Sequence, residues 1–145
     1  MNPTLLTAVL ADAVTVRDNL LHVLGGGITT LLRPSFPAPL AARLGLTFYF
    51  QFPAGHRETV TFGAACKGED DEVVFEVEGS VDVFSVDSDA PASASIAVPL
   101  ENAGVPSPGR YVIDVSINGT VQAQIPFRVQ LVDPDMMDPA SPPFG

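Results

Sequence analysis

Residues 109–131 read GRYVIDVSINGTVQAQIPFRVQL, and this stretch decides the fold class. Tyr111, Ile113 and Val115 alternate with Arg110, Asp114 and Ser116. Beyond Asn118-Gly119, Val121, Ala123, Ile125, Phe127, Val129 and Leu131 alternate with Thr120, Gln122, Gln124, Pro126, Arg128 and Gln130. A period of two with one apolar face describes strands lying on a core. Asn-Gly between such strands favours a two-residue turn. That turn would set Val115 against Gln122, a core residue against a water-facing one. A three-residue loop, Ile117-Asn118-Gly119, instead sets Val115 opposite Val121 and Ile113 opposite Ala123, so cross-strand partners share a face. The sequence therefore predicts a three-residue loop with Gly119 in the left-handed region, making a bulge. Pro126 has no donor for a ladder, so it must face an open edge or a bulge.

The same period recurs upstream. Leu44, Leu46, Phe48, Phe50 and Phe52 share one face, and so do Val60, Phe62, Ala64 and Cys66. Joined by Pro53 to Arg57, these read as a second hairpin. Val73, Phe75 and Val77 form a strand after the acidic turn Gly68 to Glu72, and Val81 to Val86 read as a further short strand after Gly79-Ser80. Ala94, Ile96, Val98 and Leu100 face one way. Near the start, Thr4 to Ala13 is almost continuously apolar, as in a strand covered on both faces or the start of a short helix. Arg17-Asp18-Asn19 reads as a turn, with short strands on either side of Gly25-Gly26-Gly27. Residues 33–39, RPSFPAP, read as a proline-rich loop. About eight strands and no long amphipathic helix predict an all-β, antiparallel two-sheet β-sandwich, immunoglobulin-like or C2-like. The domain is expected over residues 1–132, with a proline-rich tail at 133–145. Tyr111, after Pro108-Gly109-Arg110, is placed to act as a corner tyrosine whose hydroxyl bonds a nearby backbone group.

Bulk properties narrow the function. A chain of 145 residues with 46% apolar residues can bury a core. One cysteine excludes an internal disulfide. The N-terminus lacks the basic start of a signal peptide, and no apolar run spans a bilayer, so a cytoplasmic protein is expected. Residues 1–68 hold three acids and five bases, whereas residues 69–145 hold fourteen acids and two bases. That acidic half argues against nucleic acid and anionic membranes as partners.

No chemical constellation stands out. The triple glycine lacks the Lys-Ser/Thr of a phosphate loop and reads as a sharp bend. Asp87 and Asp89 are weak metal candidates in a loop, with calcium as the ion to test; the competing reading is solvated carboxylates. His22 and His56 read as ordinary strand and turn residues, Cys66 as a buried small hydrophobe. No Gly-x-Ser-x-Gly occurs. The chain is therefore read as not an enzyme, without cofactors.

Leu10-Ala11-Asp12, Val16-Arg17-Asp18-Asn19, Leu24-Gly25-Gly26-Gly27, Phe36-Pro37-Ala38 and Pro108-Gly109-Arg110-Tyr111 together resemble an uncharacterised family of small bacterial proteins. The resemblance, up to about Val132, implies an all-β sandwich and brings no activity, cofactor or site residues. The expected function is a non-catalytic interaction or structural module that binds a protein partner or associates with itself. The alternatives are a small-ligand or calcium-binding sandwich using end loops, and a hydrolase with a loop-assembled site. For a contact surface the first residues are Asp12, Arg17, Asp18, Gly25, Gly26 and Gly27; the competing reading is an Asp12–Arg17 ion pair.

Overall fold

A computed structural model describes residues 3–40, 45–52, 57–84, 92–100 and 103–133. Among them are eleven strands and no helix. In chain order they are β1 (Thr4–Arg17), β2 (Leu20–Gly26), β3 (Thr30–Arg33), β4 (Ala38–Pro39), β5 (Gly45–Phe52), β6 (Arg57–Lys67), β7 (Val73–Phe84), β8 (Ala92–Pro99), β9 (Gly104–Val105), β10 (Gly109–Ile117) and β11 (Thr120–Leu131). The count exceeds the predicted eight partly because β4 and β9 are two residues each, too short to show a period. Thr4 to Ala13 is strand, not helix. The proposed tail from 134 onward lies outside the described residues.

Two sheets carry the architecture. The first has the order β2-β1-β5-β8, the second β3-β11-β10-β6-β7, and β4 pairs with β9. One pairing departs from the antiparallel expectation: β3 runs parallel to β11. The parallel arrangement follows from the chain path, because β2 lies in the first sheet and the glycine bend carries the backbone across to the second. Both sheets are curled.

Alternation places the core as expected. Leu46, Phe48, Phe50 and Phe52 of β5 are buried, and so are Val60, Ala64 and Cys66 of β6 and Tyr111, Ile113, Val115 and Ile117 of β10. Phe48 in one sheet meets Phe62 in the other edge-to-face, with centroids 6.0 Å apart. Full burial of a side chain such as Phe48 contributes roughly 1.5–3 kcal/mol. Burial pushes the Cys66 thiol up to about 12, in keeping with an inert core residue. The corner tyrosine is present: the Tyr111 hydroxyl donates to the Ser107 carbonyl, and its ring stacks on Phe127 at 5.6 Å.

Three local expectations are corrected. The first concerns β10–β11. Ile117 pairs with Thr120, leaving Asn118-Gly119 as a two-residue turn with φ of 51° and 82°. Val115 then lies opposite Ala123 and Ile113 opposite Ile125, two residues from the predicted register. The parity conflict is relieved inside β11 and not in the turn. Ser116 pairs with Val121 and Val115 with Ala123, so Gln122 is the extra residue of a bulge. Its carboxamide reaches the first sheet, accepting from Leu5 N at 3.1 Å and donating to Pro3 O at 3.4 Å. Val121 consequently joins Ser116 on the outer face and is exposed.

The second concerns β5 and β6, which are not a hairpin. β5 pairs with β1 and β8, whereas β6 pairs with β10 and β7. Their apolar faces meet across the core, as the Phe48–Phe62 contact requires. The third concerns Gly79-Ser80, which does not break the chain: β7 runs unbroken over twelve residues. Gly79 lies opposite Phe62, whose ring occupies the space where a Cβ would sit, 2.5 Å from the nearest ring carbon. The glycine accommodates an aromatic and makes no turn.

Pro126 behaves as expected. Arg128 N, on the same side of β11, donates to Thr29 O at 2.9 Å, and the β3 ladder begins only at Arg128. The missing donor of Pro126 thus faces the stretch of that edge of β11 which β3 does not cover.

Candidate interaction surface

β1 belongs to two ladders. Residues 4–11 pair with β5, and residues 11–17 pair with β2. Its second half therefore leaves the plane of the sheet, carrying β2 with it as a two-stranded ribbon. A Cβ on Gly45 of β5 would collide with the Val14 side chain, so the ribbon is packed directly on that strand. Thr47, on the face of β5 turned away from Phe48, is wholly buried.

The tip of the ribbon is a two-residue turn, with Asp18 and Asn19 at φ of 53° and 58°. Both are residue types that tolerate the left-handed region. Asn19 latches the tip to the far edge of the same sheet. Ser95 N donates to Asn19 Oδ1 at 3.0 Å, Asn19 Nδ2 donates to Ser93 O at 3.0 Å, and Ser95 Oγ donates to Asn19 O at 2.8 Å. One carboxamide thereby satisfies a donor and an acceptor two residues apart on β8, as a neighbouring strand would. Gln122 treats Pro3 and Leu5 in the same way.

The other end of the ribbon is the triple glycine. Gly25 has φ of 66°, and a Cβ there would lie 3.0 Å from the Asp12 Cβ. Gly27, at φ of 84°, and Ile28 both donate to Leu10 O, at 3.0 and 3.1 Å. This bend releases the chain from the first sheet towards β3.

The six residues expected at a contact surface thus separate. Asp12 and Gly25 to Gly27 gather at one end of the ribbon, and Arg17 and Asp18 sit at its tip. Asp12 and Arg17 lie five residues apart on opposite faces of β1, roughly 16 Å along a strand. The structural ion pair considered for them does not form. Asp87 and Asp89 lie outside the described residues, and among those residues no group of three or more His, Cys, Asp or Glu is placed to hold a metal. The Gly68–Glu72 turn closes on itself through Gly68 N to Glu72 O at 3.0 Å, and Glu69 accepts from Arg110 N at 3.3 Å.

Sequence reasoning missed the apolar residues between these ends. Leu20 is 63% exposed, Leu24 65% and Val23 43%, with Val16 also on the surface. Leu20, Val23 and Leu24 lie on β2, six of whose seven residues are exposed, and Val16 lies on β1 beside them. A run such as Leu20-Leu21-His22-Val23-Leu24 looks the same whether it is doubly covered or bare; only the absence of charged residues could have flagged it. Ribbon residues line a shallow groove of about 530 Å³ that includes Leu21, His22 and Val23.

The model of DUF6941, a family of unknown function, matches residues 6–130. The chain belongs to this family. The match includes the ribbon, both sheets and the corner tyrosine, so in this DUF6941 chain the candidate surface is part of the family domain. No curated protein matches the chain. Among the described residues no helix is long and apolar enough to cross a membrane.

Proposed function

We propose that the chain is a non-catalytic, cytoplasmic protein-interaction module, an immunoglobulin-like sandwich that works through its β1–β2 ribbon. One observation carries this reading: β2 is a seven-residue edge strand with large apolar side chains exposed on it and no charged residue within it. Exposed apolar edges invite strand addition, and proteins that do not use them guard them. Support for the sandwich comes from two sheets sharing one core and from the Tyr111–Ser107 corner. The acidic balance of residues 69–145 favours a protein partner over nucleic acid.

The test is a photoreactive side chain introduced at Leu24 in cells of the source organism, with Glu76 as the control position. Discrete covalent protein adducts from position 24, and none from position 76, are expected. Irradiated cells without adducts at position 24 would contradict the reading.

A further inference from the structure

The partner follows from comparing the sheet edges, and this inference rests on the interaction reading above. We propose that a second copy of the chain adds its own β2 to β2, antiparallel, about a two-fold axis at His22. The two first sheets then join into one across the pair.

The first support is that the other three edges of the two sheets are each blunted. β3 is only four residues long. β8 is covered by the Asn19 carboxamide and ends at Pro99. β7 presents Glu76, Glu78 and Asp82 to solvent. Short strands, prolines and charges are the recognised guards of an edge. β2 has none of them, and among the described residues nothing pairs with its outer side.

The second support is the sequence of the strand. Leu20-Leu21-His22-Val23-Leu24 is nearly palindromic. The tip turn is closed by the Arg17–Leu20 pair. In a two-residue hairpin the closing pair is hydrogen-bonded, and such pairs alternate along the ladder. Leu20, His22 and Leu24 therefore bond to β1, and the amides and carbonyls of Leu21 and Val23 point outward. Antiparallel addition about His22 sets Leu21 against Val23 of the second copy, so four backbone hydrogen bonds form. It also sets Leu20 against Leu24 on one face, apolar against apolar. An isologous contact needs this self-complementarity.

The third support is charge. A chain of net charge −10 repels its own copy unless the contact avoids the acids. The four strands of the first sheet carry only Asp12 and Arg17, whereas the five strands of the second carry five acids and five bases, and the four acids Glu69 to Glu72 fill the turn between β6 and β7. Pairing through β2 brings the charge-poor sheets together and keeps that acidic turn on a different sheet. A strip this narrow fits the weak end of specific interfaces.

Light scattering on the full chain across a concentration series is the test, with two variants beside it. A mass of twice 15.2 kDa is expected at the upper end of the series, falling to 15.2 kDa on dilution. Leu24→Glu should weaken the pair at least tenfold while far-ultraviolet dichroism stays unchanged; Leu20→Glu serves if the first variant misfolds. His22→Cys should cross-link into a covalent dimer under mild oxidation. Residues facing each other at such an axis lie about 4.5 Å apart, within disulfide reach. Cys66 is buried and does not compete. A mass of 15.2 kDa up to about 1 mM, a millimolar Kd being only about 4 kcal/mol of binding, would overturn the pairing. So would a dimer that Leu24→Glu leaves intact. Adducts of another protein at position 24, with a monomeric chain, would remove the second copy and leave the interaction module standing.

Discussion

β2 and β7 close different sheets of the same molecule, and they are built in opposite ways. β7 is twelve residues long, sets Phe75, Val77, Val81 and Val83 against the core and turns Glu76, Glu78 and Asp82 to water. It is tied in where the Phe62 ring lies over Gly79. β2 is seven residues long, exposes Leu20, Val23 and Leu24 and contains no charged residue. It is held through β1 and through the Asn19 latch. Length and apolar content alone would make β7 the stickier strand. The distribution of charge makes it the quiet one.

The largest expected effect breaks β7 from within. Gly79→Val drives a side chain into the Phe62 ring and should cost about 1–3 kcal/mol, read as a lower denaturant midpoint. A comparably bulky change on β2, Leu24→Glu, should move that midpoint by less than about 0.5 kcal/mol, because the site is exposed. Equal losses at the two sites would erase the distinction.

Next in size is the latch. Asn19→Ala removes the two carboxamide hydrogen bonds between the ribbon tip and β8, leaves the one to its own carbonyl, and should cost about 1–2 kcal/mol. The loss is local, so β2 amides should exchange faster while β7 amides keep their protection. Uniform acceleration in both strands would mean that the ribbon and the core unfold as one.

Tyr111→Phe sharpens the contrast from the far side. Losing the bond to Ser107 should cost about 1 kcal/mol in thermal or denaturant unfolding, with no change in solution mass. The smallest effect is a pH dependence confined to the second sheet. Gln124 donates to Asp114 Oδ1 at 2.8 Å, and Lys67 lies 3.2 Å from Oδ2. The Gln124 bond above all holds this carboxyl below its ordinary value; burial opposes it, and the hydrogen bond and charge of Lys67 add to the lowering. A carboxyl lowered on folding stabilises the protein above its unfolded value, near pH 3.9, and the gain is lost as pH falls through the folded value. Asp114→Asn should flatten the stability curve in that acid range and lower it near neutrality, where the gain is fully present.

The comparison also explains what could be read in advance. Alternation located β5, β6, β10 and the second half of β11, and it placed Phe48, Ile113 and Val129 in the core, because which face a residue takes is a local property of extended backbone. It could not locate the neighbours. Strands β5 and β6 look like a hairpin from within, yet each pairs elsewhere, since an apolar face packs equally well across a core as beside a turn. The β10–β11 register failed for a similar reason: the Gln122 bulge serves contacts with Pro3 and Leu5, more than a hundred residues away. Gly79 looked like a break because the ring that needs its space belongs to β6. The exposed ribbon was hidden because apolar residues in a strand suggest a core, and only the folded chain reveals which of them lack cover.

Residue-resolved hydrogen exchange of β2, followed from dilute to concentrated solution, tests the central claim most directly. His22 and Leu24 amides, bonded to β1, should be protected throughout. Leu21 and Val23 amides should exchange quickly when dilute and become protected as concentration rises. Fast exchange at Leu21 and Val23 at every concentration would contradict the account.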